Sequence, residues 1–242
     1  MIAVVVVLLL VVMGFLLLAG ICYVGPFKYL AVFRPSRRYD SRTRQGEIVF
    51  YGASNFTLWK EMEEDLAPYP VQNHGFGNSA DVDLVRYADK LLYPYVPKIV
   101  VFQTGSNDYL RIEGDDAEKI RRCMENKRRM FSDFHSRLPD AKFIVMSGLL
   151  LPGRKQFLAL TQKINQELQE LCAATPYMRF IDASAMTYNG ETFHEELFRK
   201  DGIHLNHTGQ LRWAQEYILP VLQEEWNLKP TEVNQTTQES KS

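Results

Sequence analysis

Between residues 47 and 228 of this 242-residue chain, five short runs rich in β-branched and aromatic residues alternate with longer, mostly amphipathic stretches. The runs are 48–51, 70–73, 99–103, 143–146 and 178–181. Most are apolar over consecutive positions rather than at every second one, with Gln72, Asn73, Gln103 and Arg179 the polar exceptions, and each reads as a buried strand. The stretches 81–92, 115–137, 156–174 and 208–226 carry the spacing of amphipathic helices. Strands alternating with helices of this length predict a parallel sheet covered on both sides. The fold class expected is α/β: a three-layer α/β/α sandwich with a five-stranded parallel sheet of flavodoxin-like order. Chemistry in such sheets gathers beyond the carboxyl ends of the strands.

The chain before residue 47 is of another kind. From 2 to 24 it is almost wholly aliphatic and uncharged. As a helix rising about 1.5 Å per residue it would cross a hydrocarbon core of about 30 Å. Residues 1–27 are therefore expected to form one transmembrane helix preceding the domain, with the membrane as a partner through residues 2–24. A cleaved signal peptide is the alternative, but it would normally open on basic residues, and only Met1 precedes the run. A juxtamembrane linker follows at 28–46, where Lys28, Arg34, Arg37, Arg38, Arg42 and Arg44 are opposed only by Asp40. Such a collar suits anionic headgroups. By the positive-inside rule it places a single-pass protein with its domain in the cytoplasm. The sequons Asn55-Phe56-Thr57 and Asn206-His207-Thr208 lie in segments assigned below to the site, where a glycan would block access. The tail, 229–242, is polar and aperiodic and is expected to be disordered.

With 28 Lys and Arg against 29 Asp and Glu, the chain has no field to gather nucleic acid. Its three cysteines, Cys22, Cys123 and Cys172, form neither a CxxC nor a Cys/His pattern, so neither a disulfide framework nor a zinc site is indicated.

Candidate chemistry sits at the ends of the runs. Ser54 follows the first strand in Tyr51-Gly52-Ala53-Ser54-Asn55, a nucleophile's position at a helix start, where an N–H and the dipole can meet an oxyanion. Taken alone, this serine reads as readily as a helix cap. Asp201-Gly202-Ile203-His204 places a carboxylate three residues before an imidazole. Asp201 can then orient His204, and His204 can take the proton of Ser54. A capping aspartate, or a metal pair drawn from Asp201, His204 and His207, is the alternative. Asn107, in Gly105-Ser106-Asn107-Asp108 after the third strand, offers an amide donor to an oxyanion. Asn73-His74-Gly75-Phe76-Gly77-Asn78, after the second, is a glycine-rich loop that could add a backbone N–H. Four such segments at one sheet edge carry more weight than any one of them. The stretches 93–95 and 149–154 are further candidates for lining a pocket.

In their order, these segments resemble the four blocks of the SGNH (GDSL-like lipase/acylhydrolase) superfamily over most of 47–222. The resemblance implies an α/β/α fold and ester chemistry without a cofactor. It makes Ser54 the nucleophile, Asp201 and His204 the rest of the triad, and Asn107 an oxyanion-hole donor. The usual Gly-Asp-Ser-Leu reads Gly52-Ala53-Ser54-Asn55 here, which leaves the reacting group in place. In the second block the oxyanion glycine aligns with Asn78, or with Gly77 if the loop shifts by one. The oxyanion hole so implied comprises Ser54, Asn107 and Asn78 or Gly77. The function expected is hydrolysis of an ester-bearing small molecule, lipid or acetylated glycan. Acyl transfer by the same triad and a catalytically silent binding module are the alternatives.

Overall fold

The computed structural model of the chain describes residues 2–23 and 29–226; the tail expected to be disordered lies outside them. Strands β1 (Ile48–Gly52), β2 (Val71–Asn73), β3 (Ile99–Gln103), β4 (Lys142–Met146) and β5 (Met178–Ile181) form one sheet in the order β2-β1-β3-β4-β5. Every pairing is parallel, with Phe50 opposite both Asn73 and Val101. This is the α/β architecture and strand order expected. Strand β2 begins one residue later than the apolar run because Pro70 has no N–H to donate; its carbonyl still accepts from Ile48 N–H at 3.0 Å.

Two cores flank the sheet. Val49, Tyr51, Val100, Phe102, Phe143 and Val145 face α6 (Asp81–Leu91), α8 (Asp116–Arg137) and α9 (Leu158–Ala173). Their neighbours Ile48, Phe50, Val101, Ile144 and Met146 point the other way. There they meet Phe56 of α4 (Ser54–Thr57), Met62 of α5 (Met62–Asp65), Met186 of α10 (Ser184–Thr187) and Trp213 of α11 (His207–Trp213). Strand alternation thus buries both faces, as continuous apolar runs require. A short helix α7 (Ser106–Tyr109) follows β3.

The last predicted helix is not continuous. After α11 comes one π turn, Ala214–Ile218, and then α12, Leu219–Glu225. Pro220 accounts for the break: it lacks an N–H and its ring collides with the carbonyl four residues earlier in a regular α-helix. The helix expected from 156 is likewise preceded by a tighter turn, Pro152–Phe157, in which Arg154 leaves helical geometry (φ −137°, ψ 33°).

Helix α1 spans Ile2–Tyr23. Among the described residues, no helix is both long and apolar enough to cross a membrane, so the expected transmembrane helix is not found. After α1, helices α2 (Tyr29–Phe33) and α3 (Pro35–Arg38) fold onto the domain, with Ala31, Val32 and Tyr39 buried in the core. The Tyr39 hydroxyl accepts from Asn73 N–H at 2.9 Å and donates to Glu63 at 2.8 Å. The collar is partly neutralised from within, since Arg38, Arg42 and Arg44 pair with Glu63, Asp40 and Glu47.

Candidate active site

The site begins where β1 stops. A Cβ on Gly52 would stand 2.2 Å from the carbonyl of Gln103, so only glycine lets β1 end this close to β3. Ala53 N–H then donates to that same carbonyl at 3.2 Å, and α4 starts at Ser54. The serine hydroxyl sits at the carboxyl end of the sheet, beside first-turn N–H groups that have no partner within the helix.

His204 arrives from the other end of the chain. Its Nε2 lies 2.9 Å from Ser54 Oγ, and its Nδ1 lies 2.8 Å from Asp201 Oδ2. The other carboxylate oxygen accepts the backbone N–H groups of Ile203 (2.8 Å) and His204 (3.0 Å). Gly202, at φ +62°, makes the turn that allows this. Burial opposes ionisation of Asp201, but the bonds from the His204 ring, from His204 N–H and from Ile203 N–H outweigh it and hold the carboxyl at about 2. An ionised Asp201 fixes the proton of His204 on Nδ1 and leaves Nε2 to accept from the serine. The two loops are tied directly as well, by Leu205 N–H donating to Asn55 Oδ1 at 3.0 Å. His207 turns away to Asp65 at 3.1 Å, so the trio Asp201, His204 and His207 does not converge.

A cavity of about 310 Å³ opens over Ser54 and His204. Gly77, Asn78 and Asn107 line it, so the structure brings together every residue singled out at the ends of the first three strands. Asn107 Nδ2 donates to Ser79 O at 3.0 Å, which fixes the amide plane against the second-block loop. Asn78 adopts φ 53°, the left-handed region that favours glycine and, next to it, asparagine. Gly77 has no positive φ, so the backbone feature for which glycine is needed falls on Asn78. Arg111 clamps this residue: it donates to the Asn78 carbonyl, to Asn78 Oδ1 at 3.2 Å and to Asp83 at 2.7 Å. His74 of the same loop is buried beneath it, donating Nδ1–H to Leu91 O at 2.5 Å.

Of the two other candidate linings, the stretch 149–154 contributes Leu149, Leu151 and Arg154 to the cavity. The stretch 93–95 does not: Tyr95 is buried in the core and Tyr93 donates to Asp133 at 2.8 Å.

A GDSL-like lipase/acylhydrolase family model matches residues 40–212, most of the chain. The chain belongs to this family. The resemblance read from the four sequence blocks is thereby borne out, and membership makes the protein an ester hydrolase. No curated protein matches the chain. Solved structures share the fold of this GDSL-like acylhydrolase. A Streptococcus pneumonia protein described as a platelet activating factor is 17% identical, with a TM-score of 0.65 over 85% of this chain and 97% of its own. A GDSL-like lipase from Bacteroides thetaiotaomicron is 17% identical, with 0.58 over 75% and 91%. The C-terminal catalytic domain of Streptococcus pneumoniae peptidoglycan O-acetyltransferase A, bearing a methylsulfonyl adduct, is 17% identical, with 0.53 over 76% and 96%.

Sequence reasoning missed a charged cluster in the acylhydrolase, next to the loops that follow β2 and β3. Lys127 is buried and donates to Asp81 (2.9 Å) and to Thr104 (2.8 Å), while its ammonium stands 4.0 Å from Asp108. Asp81 N–H donates to Asp108 Oδ1 at 2.7 Å, and among the described residues Asp108 Oδ2 has no hydrogen-bond partner. Burial, and next the charge of Asp81, push the Asp108 carboxyl up to about 7. The signal was present in the sequence: Lys127 lies on the stripe Cys123, Met124, Lys127, Met130, Phe131, Phe134 that α8 buries.

Proposed function

We propose that Ser54, His204 and Asp201 hydrolyse a carboxylic ester through an acyl-enzyme. Ser54 Oγ attacks the carbonyl carbon as its proton passes to His204 Nε2. The carbonyl π electrons move to oxygen, where the N–H of Ser54, the Asn107 amide and the N–H of Asn78 or Gly77 stabilise the charge. Collapse breaks the ester C–O bond, and His204 gives its proton to the departing alcohol. Water then repeats the attack with His204 as base, releasing the acid and restoring the serine. Asp201 keeps its negative charge throughout and steadies the imidazolium.

The observation that carries this reading is the continuous line Asp201–His204–Ser54, at 2.8 and 2.9 Å, opening on a cavity. A labelled fluorophosphonate should modify Ser54 and no other serine, and Ser54→Ala should lower turnover of a short aryl ester by roughly 10⁴ to 10⁶. Wild-type turnover in Ser54→Ala would remove the proposal. The likeness to an O-acetyltransferase domain favours a second reading, transfer of the acyl group to another hydroxyl by the same residues. Formation of a new ester when an alcohol acceptor is added separates the two.

We also propose that α1 anchors the enzyme at a membrane, with the domain on the cytoplasmic side. The large apolar side chains from Val4 to Leu18 are 49–70% exposed, so this helix is apolar all round and the domain buries no face of it. Both sequon asparagines are engaged within the domain, Asn55 by Leu205 N–H and Asn206 as the cap of α11, which suits a compartment without glycosylation. Recovery of the enzyme in membranes, and protease access to the domain only after cells are opened, would agree with this. A released, freely soluble enzyme would overturn it.

A further inference from the structure

We infer that Arg154 selects esters bearing an anionic group, a carboxylate or a phosphate, close to the scissile bond. The inference rests on the ester-hydrolase reading of the site and names the substrate class for it. Among the described residues lining the cavity, Arg154 is the only Lys, Arg, Asp or Glu; the other linings are neutral polar groups, His204, small Ala53, Gly77 and Gly105, and apolar Leu58, Leu149, Leu151 and Ile203. Its guanidinium donates to the Ser106 hydroxyl, and among the described residues no carboxylate pairs with it. Other half-buried arginines of the domain are answered by acids, as Arg44 is by Glu47 and Arg111 by Asp83. A guanidinium presents five N–H donors in a planar fork, and one hydroxyl acceptor leaves most of them for an oxyanion ligand.

The placement is built rather than incidental. Gly153 N–H donates to Gly202 O at 2.9 Å, and a Cβ on Gly153 would meet the Asp201 carbonyl at 2.5 Å. The turn carrying Arg154 is therefore locked to the turn carrying Asp201 and His204, and the guanidinium keeps a fixed relation to the triad. Ser106, its partner, immediately precedes Asn107. A substrate anion held there would lie within the same cavity as the carbonyl under attack.

The test compares kcat/KM of the full-length enzyme on neutral 4-nitrophenyl acetate with three anionic esters. These are the 4-nitrophenyl monoester of succinate, 4-acetoxybenzoate and 1-acetylglycerol 3-phosphate, which place a carboxylate on the acyl side, a carboxylate on the alcohol side and a phosphate respectively. The wild type should favour at least one anionic ester, and Arg154→Ala should lower kcat/KM on it about tenfold or more beyond any change on the acetate. Arg154→Lys should restore part of the difference, and added salt should erode it. An Arg154→Ala variant that slows neutral and anionic esters equally would overturn the inference and leave the ester-hydrolase reading standing. Absence of wild-type turnover on all four esters, together with no fluorophosphonate labelling of Ser54, would remove both.

Discussion

Gly153 and Gly202 meet backbone to backbone: the N–H of the first donates to the carbonyl of the second at 2.9 Å, and a Cβ on Gly202 would stand 2.8 Å from Gly153 N. The contact sets the height of the Asp201–His204 turn over Ser54. A methyl at Gly153 would press on the Asp201 carbonyl, which is backbone and cannot swing aside. Gly153→Ala is therefore expected to lower kcat by about 10²-fold, the cost of displacing a reacting group by around an ångström. Loss of stability should stay near 1–3 kcal/mol. Steady-state kinetics beside a urea titration checks both, and unchanged kcat would show that the turn has slack.

Asp201→Asn should keep the shape of the turn and lose its charge. The amide can present its N–H₂ to His204 and so favour the tautomer in which Nδ1 lacks the proton; turnover should fall by about 10²–10⁴. The wild-type carboxyl is held at about 2 against an ordinary 3.8. A depressed acid stabilises the fold fully above its unfolded value and loses that contribution as pH falls through its folded one. The stability difference between wild type and Asp201→Asn should thus be constant from pH 8 to about 5 and shrink toward pH 2. A difference that grows on acidification would contradict the assigned bonds.

Most strands were legible because burial writes itself as a largely apolar run, and the candidate residues Ser54, Asn107, Asp201 and His204 because each stands just past a strand's end or shortly before a helix begins. What sequence could not supply was contact between distant segments. The lock of Gly153 on Gly202, the tie of Asn55 to Leu205 and the clamp of Arg111 on Asn78 join positions that no local pattern relates. Arg154 fell within a candidate lining, yet its lack of an acid partner is a property of the folded site alone. The left-handed φ of 53° at Asn78 is one dihedral angle that a glycine-rich loop does not announce.

That angle gives a prediction of its own. At φ 53° a residue without a side chain rests at no cost, whereas a β-branched one is strained by about 1–2 kcal/mol. Asn78→Gly should retain activity within a few-fold, and Asn78→Val should lose both stability and turnover. Equal behaviour of the two variants would mean that the loop readily takes another shape.

Lys127 is the buried cation shared by Asp81 and Asp108. Lys127→Met would strand Asp81 and Asp108 without a cation, and a loss of about 3–5 kcal/mol is expected from chemical denaturation. Adding Asp81→Asn and Asp108→Asn to that variant should recover much of it, because the cost lies in the unpaired charges and not in the missing methylenes. If the triple variant is no more stable than Lys127→Met, altered packing around α8 causes most of the loss.

Two buried groups should tilt the pH dependence of stability in opposite directions. Asp108 is raised to about 7 by burial and by Asp81, so the folded state keeps its proton where the unfolded state has lost it; its contribution is full below 3.8 and fades as pH rises through 7. His74 is lowered from 6.5 to about 3 by burial, against the bond to Leu91 O, so the folded state refuses a proton that the unfolded state accepts. Its contribution is full above 6.5 and fades as pH falls toward 3. Between about pH 4 and 6.5 each group shifts the balance by close to one proton, about 1.4 kcal/mol per pH unit and of opposite sign, so their slopes cancel. Asp108→Asn keeps an oxygen for Asp81 N–H but cannot titrate, which leaves His74 unopposed. Denaturation midpoints of this variant should climb steadily from pH 4 to 6.5 while those of the wild type climb less. Parallel curves for the two proteins would show that Asp108 is already ionised in the folded enzyme across this range.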